Sequence, residues 1–473
     1  MRCSAIVSFL YLAGLAAAIP ANPHPDNPTG LAKSHPAKRH QTRSHPTRSH
    51  PKKSHPNVKR KKLQRKTTGE GGQGLRAVGY YGNWDIYDRK FFITDIEDEQ
   101  LTHLIYSFAN VNPETGEVYL SDEHADLNYY YPGDKPSNSS EPQLYGNLKQ
   151  LYLLKKKNRH LKTLLAILGY TYSPNMVPVL ASAELRANFV SSAVKLVTDL
   201  GLDGLDIDYE YVTSTTEAVN MVTLLKDLRA ALDKIPTNST TSPFLLTAAS
   251  PAGPAKYKLL DLPGMDKYLS FWNFMGYDYS GSWDKITAHS SNVFPDPNSN
   301  ITTPFSSNNA LKWYVESGVA PQRINLGMPL YGRGFANTKG IGQPFNNSGA
   351  TTGSYDEANV WDYKDLTING VETNVPEIGA SYSYDATKKY LISFDNKQNA
   401  EFKATYVVKY RLGGAMWWEV SQDKQNDDSL IRAVVKSFGG RPSLENSLNH
   451  LDYPHSKYEN LRKGFPGIGL ATS

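Results

Sequence analysis

The sequence predicts an α/β protein, a (β/α)8 TIM barrel with a small α+β insertion domain between strand 7 and helix 7. Eight short apolar runs alternate with longer amphipathic stretches, a pattern typical of repeated strand–helix units. Polar and aromatic residues stand at the C-terminal ends of several runs, where barrel proteins carry their functional groups. The length of 473 residues allows one large domain of this kind.

We predict that the eight apolar runs are the barrel strands. In order, they are AVGYYGNW (77–84), THLIYSFANV (102–111), LKTLLAIL (161–168), GLDIDYEY (204–211), FLLTAAS (244–250), LSFWNFMGYD (269–278), RINLGMPLYG (323–332) and GGAMWWEV (413–420). Stretches such as 182–201 and 217–235 are predicted to be intervening helices. The interval of about 335–395 is rich in Tyr, Thr, Asn and Gly, and we expect it to hold the inserted module.

The first 18 residues are typical of a secretory signal peptide. Arg2 precedes an apolar run that ends in small residues, and this run is too short to span a membrane comfortably. No other stretch reaches transmembrane length, so the sequence predicts a secreted protein with no membrane span. The single cysteine, Cys3, lies inside the signal, which leaves the mature chain without disulfides. Four N-glycosylation sequons agree with an extracellular route: Asn138, Asn238, Asn300 and Asn346.

Residues 19–74 form a basic, His/Pro-rich segment that is predicted to be disordered because it has little apolar surface to bury. Ser-His-Pro recurs four times, and residues 1–66 carry 14 lysines and arginines against one acid. The segment is either a linker or pro-segment, or a basic arm that contacts acidic cell-wall polymers. The remaining chain carries 37 bases against 45 acids, which argues against nucleic-acid binding by the folded body.

The fourth run contains DGLDIDYE at 203–210, with three carboxylates spaced two residues apart. In a strand, Asp206, Asp208 and Glu210 point to one side, and the apolar residues between them point to the other. A solvated charge run is the ordinary explanation of clustered acids, but strand-forming neighbours fit it poorly. Acids crowded on one face shift each other's pKa values, which suits acid–base chemistry.

Candidate site residues fall at strand ends that meet on one rim of a barrel. Glu210 ends the fourth run, and an acid supported by an aspartate two residues earlier is a general-acid arrangement that glycoside hydrolysis needs. Aromatic residues stand near the same rim and either pack in the core or stack on sugar rings; we favour a sugar groove. These aromatic residues are Tyr80, Trp84, Tyr170, Trp283, Tyr331 and Trp418.

Four motifs in order resemble glycoside hydrolase family 18, and specifically chitinases of the fungal secreted type. DGLDIDYE matches the family signature D-G-x-D-x-D-x-E, and NFMGYDY (273–279) matches M-x-Y-D. GMPLYGRGF (327–335) and GGAMWWEVSQD (413–423) match two further family stretches. The resemblance runs from about Val78 to Phe438, so it implies a catalytic barrel over 75–440, followed by a polar C-terminal tail, 441–473.

The resemblance implies a retaining, substrate-assisted mechanism, in which the acetamido carbonyl of the sugar is the nucleophile and an oxazolinium forms. Glu210 would be the acid and later the base, while Asp208 would accept the acetamido N–H. Asp206 would share a proton or hydrogen bond with Asp208, and Tyr277 would donate to the acetamido carbonyl. The implied substrate-binding residues are Asp278, Trp418, Tyr331, Arg333, Met275, Tyr80, Trp283 and Tyr170.

The third strand departs from the family pattern S-x-G-G. It has Ala166 in place of the serine that hydrogen-bonds the innermost aspartate, and Leu168 where the family has glycine. Tyr80 remains as a second hydrogen-bond donor to Asp206. Tyr170 would be a smaller sugar platform than the usual tryptophan. No residue with a role in bond chemistry is lost, so we expect an active enzyme.

Three functions remain open at this point: a chitinase acting on chitin or chito-oligosaccharides, a chitin-binding lectin on the same barrel, and an endoglycosidase acting on N-glycans. Glu210 favours an enzyme over a lectin, and the module at about 335–395 argues against the endoglycosidase. No metal site is expected because no histidines stand in ligand spacing near the acids, and no cofactor motif occurs. We expect a monomer.

Overall fold

The computed structural model describes residues 74–210, 212–237, 241–348, 353–366 and 370–471. The predicted signal peptide, nearly all of the basic segment and the sequon at Asn238 lie outside the described residues. Within the described part of the chain, no helix has the length and apolar character needed to cross a membrane.

The described residues contain 14 strands. They are β1 (Arg76–Gly82), β2 (His103–Val111), β3 (Val118–Leu120), β4 (Lys162–Leu168), β5 (Gly204–Asp208), β6 (Leu245–Ser250), β7 (Phe271–Phe274), β8 (Ile324–Pro329), β9 (Tyr331–Phe335), β10 (Val360–Asp362), β11 (Val371–Val375), β12 (Ala380–Asp385), β13 (Tyr390–Ser393) and β14 (Gly414–Trp418).

The same part of the chain contains 11 α-helices. They are α1 (Gly146–Lys157), α2 (Gly169–Tyr172), α3 (Met176–Ala181), α4 (Ala183–Leu200), α5 (Thr215–Leu232), α6 (Pro254–Tyr257), α7 (Leu262–Asp266), α8 (Ser307–Glu316), α9 (Lys397–Lys409), α10 (Leu430–Phe438) and α11 (Glu459–Arg462). The two helices predicted from sequence correspond to α4 and α5. Each begins at a serine whose hydroxyl accepts a backbone N–H of the first turn.

Eight parallel strands close into a barrel in the order β1-β14-β8-β7-β6-β5-β4-β2, and β2 pairs with β1 to complete the ring. Each of the eight predicted runs overlaps one of these strands, so the predicted barrel is confirmed. The short strand β3 pairs antiparallel with β2 outside the ring.

Successive side chains of a strand point to opposite faces, so those of the barrel strands contribute to two hydrophobic clusters. The larger cluster lies between the strands and the surrounding helices and includes Leu205 and Ile207 of β5. A smaller cluster fills the barrel interior and consists of Val78, Tyr80, Ile105, Leu164, Ala166, Phe271 and Met416. The intervening residues of β5, Asp206 and Asp208, therefore face the barrel interior, as predicted.

The connection from β1 to β2 has no α-helix, although a regular barrel would place one there. It is built from three short 3₁₀ turns over residues 83–100. Asp85 and Asp95 accept the backbone N–H groups of Gly82 and Phe92 at 3.1 and 2.8 Å. Side chains that bind nearby backbone in this way favour turns over continuous helix.

The insertion after β8 is a five-stranded antiparallel sheet in the order β10-β9-β13-β12-β11. It begins at Tyr331, a few residues before the predicted boundary of about 335. Its described residues contain strands and two 3₁₀ turns, so the α component expected from sequence is small there. The first strand, β9, carries Tyr331 and Arg333 from the barrel rim directly into this sheet.

The segment 441–471, expected from its composition to be a polar tail, packs against the N-terminal ends of the barrel strands. Lys162 at the start of β4 pairs with Glu445 at 3.0 Å. Asp203, just before β5, pairs with Lys155 at 2.8 Å and accepts the backbone N–H of His450 at 2.8 Å. Four apolar residues anchor the segment: Leu444, Tyr453, Leu461 and Phe465 are all buried.

We expect Glu445→Gln to lower the free energy of unfolding by about 3 kcal/mol at neutral pH, because it leaves the buried ammonium of Lys162 without its charge partner. Burial alone would raise the pKa of Glu445, but the charges of His103 and Lys162 hold it at about 2. Because the pKa of Glu445 is lower in the folded state, its carboxylate stabilises the fold at pH values above the pKa of an unfolded glutamate. This contribution is lost as the pH falls toward 2.

Urea unfolding of wild type and variant at several pH values measures this difference, which should shrink on acidification below the usual glutamate pKa. Glu459→Gln is the matched control, since its ion pair with Lys463 lies at the surface and such pairs contribute little. Equal losses in both variants would contradict an anchoring role for Glu445.

Candidate active site

Strand β5 positions the acids. Its alternation directs Asp206 and Asp208 into the barrel, and Glu210 follows two residues beyond its C-terminal end. The backbone N–H of Glu210 donates to Ser173 Oγ at 3.1 Å, and that hydroxyl donates to the Gly169 carbonyl at 2.9 Å. Ser173 therefore ties the residue at the strand tip to the loop that follows β4.

Asp206 is fully buried and accepts three hydrogen bonds from three other strands. Tyr80 Oη donates to Oδ2 at 2.8 Å, Thr247 Oγ1 to Oδ1 at 2.5 Å, and Asn273 Nδ2 to Oδ1 at 3.1 Å. Burial raises the pKa of Asp206, and these hydrogen bonds oppose the rise by stabilising the carboxylate.

Asp208 is almost as deeply buried but has a different environment. No hydrogen-bond partner among the described residues lies within reach of its Oδ1. Burial raises the pKa of Asp208 well above its usual value, and the charges of Glu210 and Asp206 raise it further. Of the two aspartates, Asp208 therefore lies in the environment that more strongly favours the protonated form.

Glu210 is half-buried at the mouth of the barrel. Burial, followed by the charge of Asp278, raises the pKa of Glu210 to about 7, while Lys256 acts in the opposite direction. Lys256 and Glu210 both line a small cavity. A carboxyl group that keeps its proton close to neutral pH is suited to general-acid catalysis.

Tyr277 follows β7 and joins the edge of the inner hydrophobic cluster together with Met275. Its hydroxyl lies 3.8 Å from the sulfur of Met416. Burial raises the pKa of Tyr277 well above its usual value, and the charges of Asp208 and Asp278 raise it further. The phenol therefore stays protonated and available as a hydrogen-bond donor.

One wall of the groove joins the loop after β7 to strand β9 of the inserted sheet. Tyr331 Oη donates to Asp278 at 2.7 Å, and the Arg333 guanidinium donates to both oxygens of Asp278 at 2.9 and 2.8 Å. The same guanidinium lies 5.2 Å from the centre of the Trp283 ring, which is 56% exposed. Asp278 is thus held in place by two other residues that the resemblance implies for substrate binding.

The floor of the groove is aromatic. Trp418 at the end of β14 has its ring centre 5.5 Å from that of Tyr80 and 5.7 Å from that of Phe108, with Trp84 at 6.3 Å. Its neighbour Trp417 is fully buried in the outer cluster and so belongs to the core. These rings form an aromatic cluster at the barrel mouth, and aromatic faces can stack on sugar rings.

Tyr170 stands apart from the buried part of the site. It lies on the short helix α2, directly after β4, and is 52% exposed. Its position after a barrel strand places it at the same end of the barrel as Glu210, although it contributes to the open surface and not to the acid cluster.

The two departures on β4 have different structural consequences. Ala166 is the cross-strand partner of Asp206, but Thr247 is its partner on the opposite side and supplies a hydroxyl. Leu168 adopts a positive φ of 93°, which is unusual for a residue with a side chain. That side chain packs in the outer hydrophobic cluster and does not fill the barrel interior.

Four functional residues were missed by the sequence reasoning: Thr247, Asn273, Ser173 and Lys256. Only Thr247 and Asn273 had a usable signal, since each is a polar residue at an inward position of a predicted strand.

Among the described residues, no group of three or more His, Cys, Asp or Glu side chains is arranged to hold a metal ion.

The comparisons with known proteins agree with this geometry. Residues 76–423 match Glycosyl hydrolases family 18. The chain is 41% identical to Chitinase 1 of Aphanocladium album over 395 residues, which cover 83% of this chain and 92% of that protein. It is 42% identical to Endochitinase 1 of Metarhizium robertsii over 398 residues, which cover 84% of this chain and 92% of that protein.

The fold is similar to the catalytic domain of psychrophilic chitinase B from Arthrobacter TAD20, with a TM-score of 0.71 and 28% sequence identity. That match covers 80% of this chain and 98% of the other. The resemblance inferred from four motifs is therefore confirmed over most of the chain. The protein belongs to family 18 of the glycosyl hydrolases.

Proposed function

We propose that the protein is a secreted chitinase that hydrolyses β-1,4 linkages between N-acetylglucosamine units with retention of configuration. The observation that carries this proposal is the arrangement on β5, where a buried Asp208 with a partnerless Oδ1 lies between a hydrogen-bonded Asp206 and Glu210. Such a carboxyl can bind a polar group of the substrate. The fungal relatives named Chitinase 1 and Endochitinase 1 support the same substrate.

In the first step, Glu210 gives its proton to the oxygen of the scissile bond as that bond breaks. The carbonyl oxygen of the sugar's own 2-acetamido group attacks the anomeric carbon and forms the oxazolinium ring. Asp208 accepts the acetamido N–H, and the negative charge of the aspartate pair stabilises the positive ring. Tyr277 donates its O–H to the acetamido carbonyl and aligns it for attack.

In the second step, the Glu210 carboxylate accepts a proton from water, and the water oxygen attacks the anomeric carbon. The oxazolinium ring opens, the acetamido group is restored and Glu210 is protonated again. Two displacements on opposite faces leave the anomeric configuration unchanged. Trp418 supports the sugar ring from below, while Asp278, Arg333 and Trp283 form the side wall.

A chitin-binding lectin on this barrel is the second candidate. Two features favour it: Tyr170 is a smaller platform than the tryptophan usual in the family, and the β4 motif is altered. The presence of Glu210 with a pKa of about 7 argues for the enzyme. An endoglycosidase acting on N-glycans is less well supported because the inserted sheet borders the groove through Tyr331 and Arg333.

Secretion, processing and state of assembly are part of the same proposal. Residues 1–18 would be removed as a signal peptide, and 19–74 would act as a pro-segment or as an arm for wall polymers. Three of the four sequons have exposed asparagines that are accessible to glycosylation: Asn138, Asn300 and Asn346. The catalytic unit would span 75–440 with 441–471 packed beneath it, and the protein would act as a monomer.

We expect Glu210→Gln to lower kcat on the N-acetylglucosamine hexamer by about 10²- to 10⁴-fold, because glutamine cannot protonate the leaving oxygen. Product lengths and anomers are followed by chromatography, and the first products of the wild type should be β-anomers. Glu316→Gln, an exposed residue of α8, is the control and should cleave as the wild type does. A wild type that binds the hexamer without cleaving it would favour the lectin.

Lys256→Gln should move the alkaline limb of kcat/KM to higher pH. The general acid must be protonated, so activity falls as the pH rises through the pKa of Glu210, which is about 7. Lys256 lowers that pKa, so removing its charge raises it. Lys256→Arg keeps the charge and should leave the limb in place. Lys256 does not lower the pKa of Glu210 if the alkaline limb stays fixed in Lys256→Gln. The same conclusion follows if the limb moves equally in both variants.

A further inference from the structure

Four buried polar side chains form a continuous hydrogen-bonded chain through the barrel interior. Arg76 Nε donates to Asn325 Oδ1 at 2.9 Å, and Asn325 Nδ2 donates to Asn273 Oδ1 at 3.1 Å. Asn273 Nδ2 then donates to Asp206 Oδ1 at 3.1 Å. We call Arg76, Asn325 and Asn273 the barrel relay. They come from β1, β8 and β7 and are buried.

The direction of the barrel relay follows from the chemistry of its first member. A guanidinium can only donate, so Asn325 must present its carbonyl oxygen to Arg76. The amide nitrogen of Asn325 then faces Asn273, which must present its own carbonyl oxygen in return. The remaining NH₂ of Asn273 is thereby directed at Asp206. Arg76 thus determines, through two amides, that Asp206 meets a donor.

We propose that the barrel relay is a positioning device for the catalytic acids, which holds Asp206 as the charged member of the aspartate pair and leaves the proton on Asp208. This inference rests on the proposed function of that pair. Arg76, Asn325 and Asn273 do not touch the substrate groove; they act through Asp206. A structural role alone, in which Arg76 is simply a buried cation that needs partners, predicts a loss of stability on substitution without a shift of the pH profile.

The groups around Asp206 are consistent with the proposal on every side. Tyr80 on β1, Thr247 on β6 and Asn273 on β7 all donate to it. Ala166 on β4 contributes no polar group, and the neighbouring charge on β5 is Asp208 itself. Asp208 has no donor at its Oδ1, so a proton shared by the pair is more stable there.

Arg76 keeps its charge in this setting. Burial lowers the pKa of Arg76 to about 10, with Glu445 opposing the shift, so the guanidinium is protonated throughout the neutral range. It also donates to the Gln322 carbonyl at 2.5 Å and lies 4.6 Å from the centre of the Phe271 ring. These contacts hold the donor end of the barrel relay in one orientation.

Asn325→Asp tests the direction of the relay with almost no change in shape. The new carboxylate forms an ion pair with Arg76, and this pair favours folding. Unlike the asparagine amide, the carboxylate has no N–H to donate to Asn273. The Asn273 amide must then turn its NH₂ toward residue 325 and its carbonyl oxygen toward Asp206. Facing an acceptor, Asp206 takes up the proton, and its pKa rises.

We expect the acidic limb of kcat on chito-oligosaccharides to move to higher pH in Asn325→Asp, since activity requires ionised Asp206 and falls as the pH drops through its pKa. At the wild-type optimum, kcat should fall about tenfold, the scale of a lost hydrogen bond to a charged group. Arg76→Lys retains a donor at the start of the relay and should keep the acidic limb in place.

Asn449→Asp is the matched control. Asn449 is also buried and also accepts from an arginine, Arg159 Nε at 2.8 Å, but it lies beneath the barrel and outside the relay. It should lose stability without a change in the pH profile. An Asn325→Asp variant that behaves in the same way would overturn the proposal.

Infrared difference spectra test proton location without substrate, so they remain decisive even if the protein does not cleave chitin. Among the carbonyl stretches of protonated carboxylic acids, the one that belongs to the aspartate pair should vanish with Asp208→Asn in the wild-type background. In the Asn325→Asp background, it should vanish with Asp206→Asn instead. If the band belongs to the same aspartate in both backgrounds, the relay does not direct the proton.

Should Asn325→Asp fail to fold, Arg76→Gln provides the same test. Its uncharged amide can donate or accept, so the direction of the relay is no longer imposed, and the acidic limb should again move to higher pH. An unchanged limb in a folded Arg76→Gln protein would overturn the proposal.

Discussion

The cost of burying a carboxylate inside the barrel is the constraint on which the rest of the site depends. Asp206 has lost all contact with water, and an ion in that position is tolerated only if donors replace the solvent. Three strands supply them through Tyr80, Thr247 and Asn273. These donors satisfy Asp206 and leave Oδ1 of Asp208 without a partner, so two aspartates on one strand have different environments.

Most of the barrel was predictable because each strand is a short apolar run, and burial on both faces makes such runs visible in the sequence. The packing of 441–471 was not predictable, since its buried apolar residues are scattered among polar ones and have no period. The turns between β1 and β2 were missed for a related reason: Asp85 and Asp95 look like surface residues until their backbone partners are known.

The residues of the candidate site also fall into two groups, those that could be predicted from sequence and those that could not. Residues inside motifs, such as Glu210, Tyr277 and Asp278, could be named because their spacing on one strand or turn carries information. Thr247 and Asn273 lie 41 and 67 residues from Asp206, and only the register of β5, β6 and β7 brings them beside it. The sequence shows that Ala166 lacks the serine hydroxyl of the family pattern, whereas only the structure shows that Thr247 on the neighbouring strand supplies a hydroxyl to Asp206.

The packing beneath the barrel has a consequence for the order of biosynthesis. Lys162 and Asp203 reach partners that follow them by 283 and 247 residues, and β1 pairs with β14. A nascent chain still on the ribosome therefore lacks the closing strand, the Glu445 partner of Lys162 and the His450 N–H that Asp203 accepts. Such a chain cannot close its barrel until synthesis is almost finished, because the last barrel strand, β14, must pair with the first.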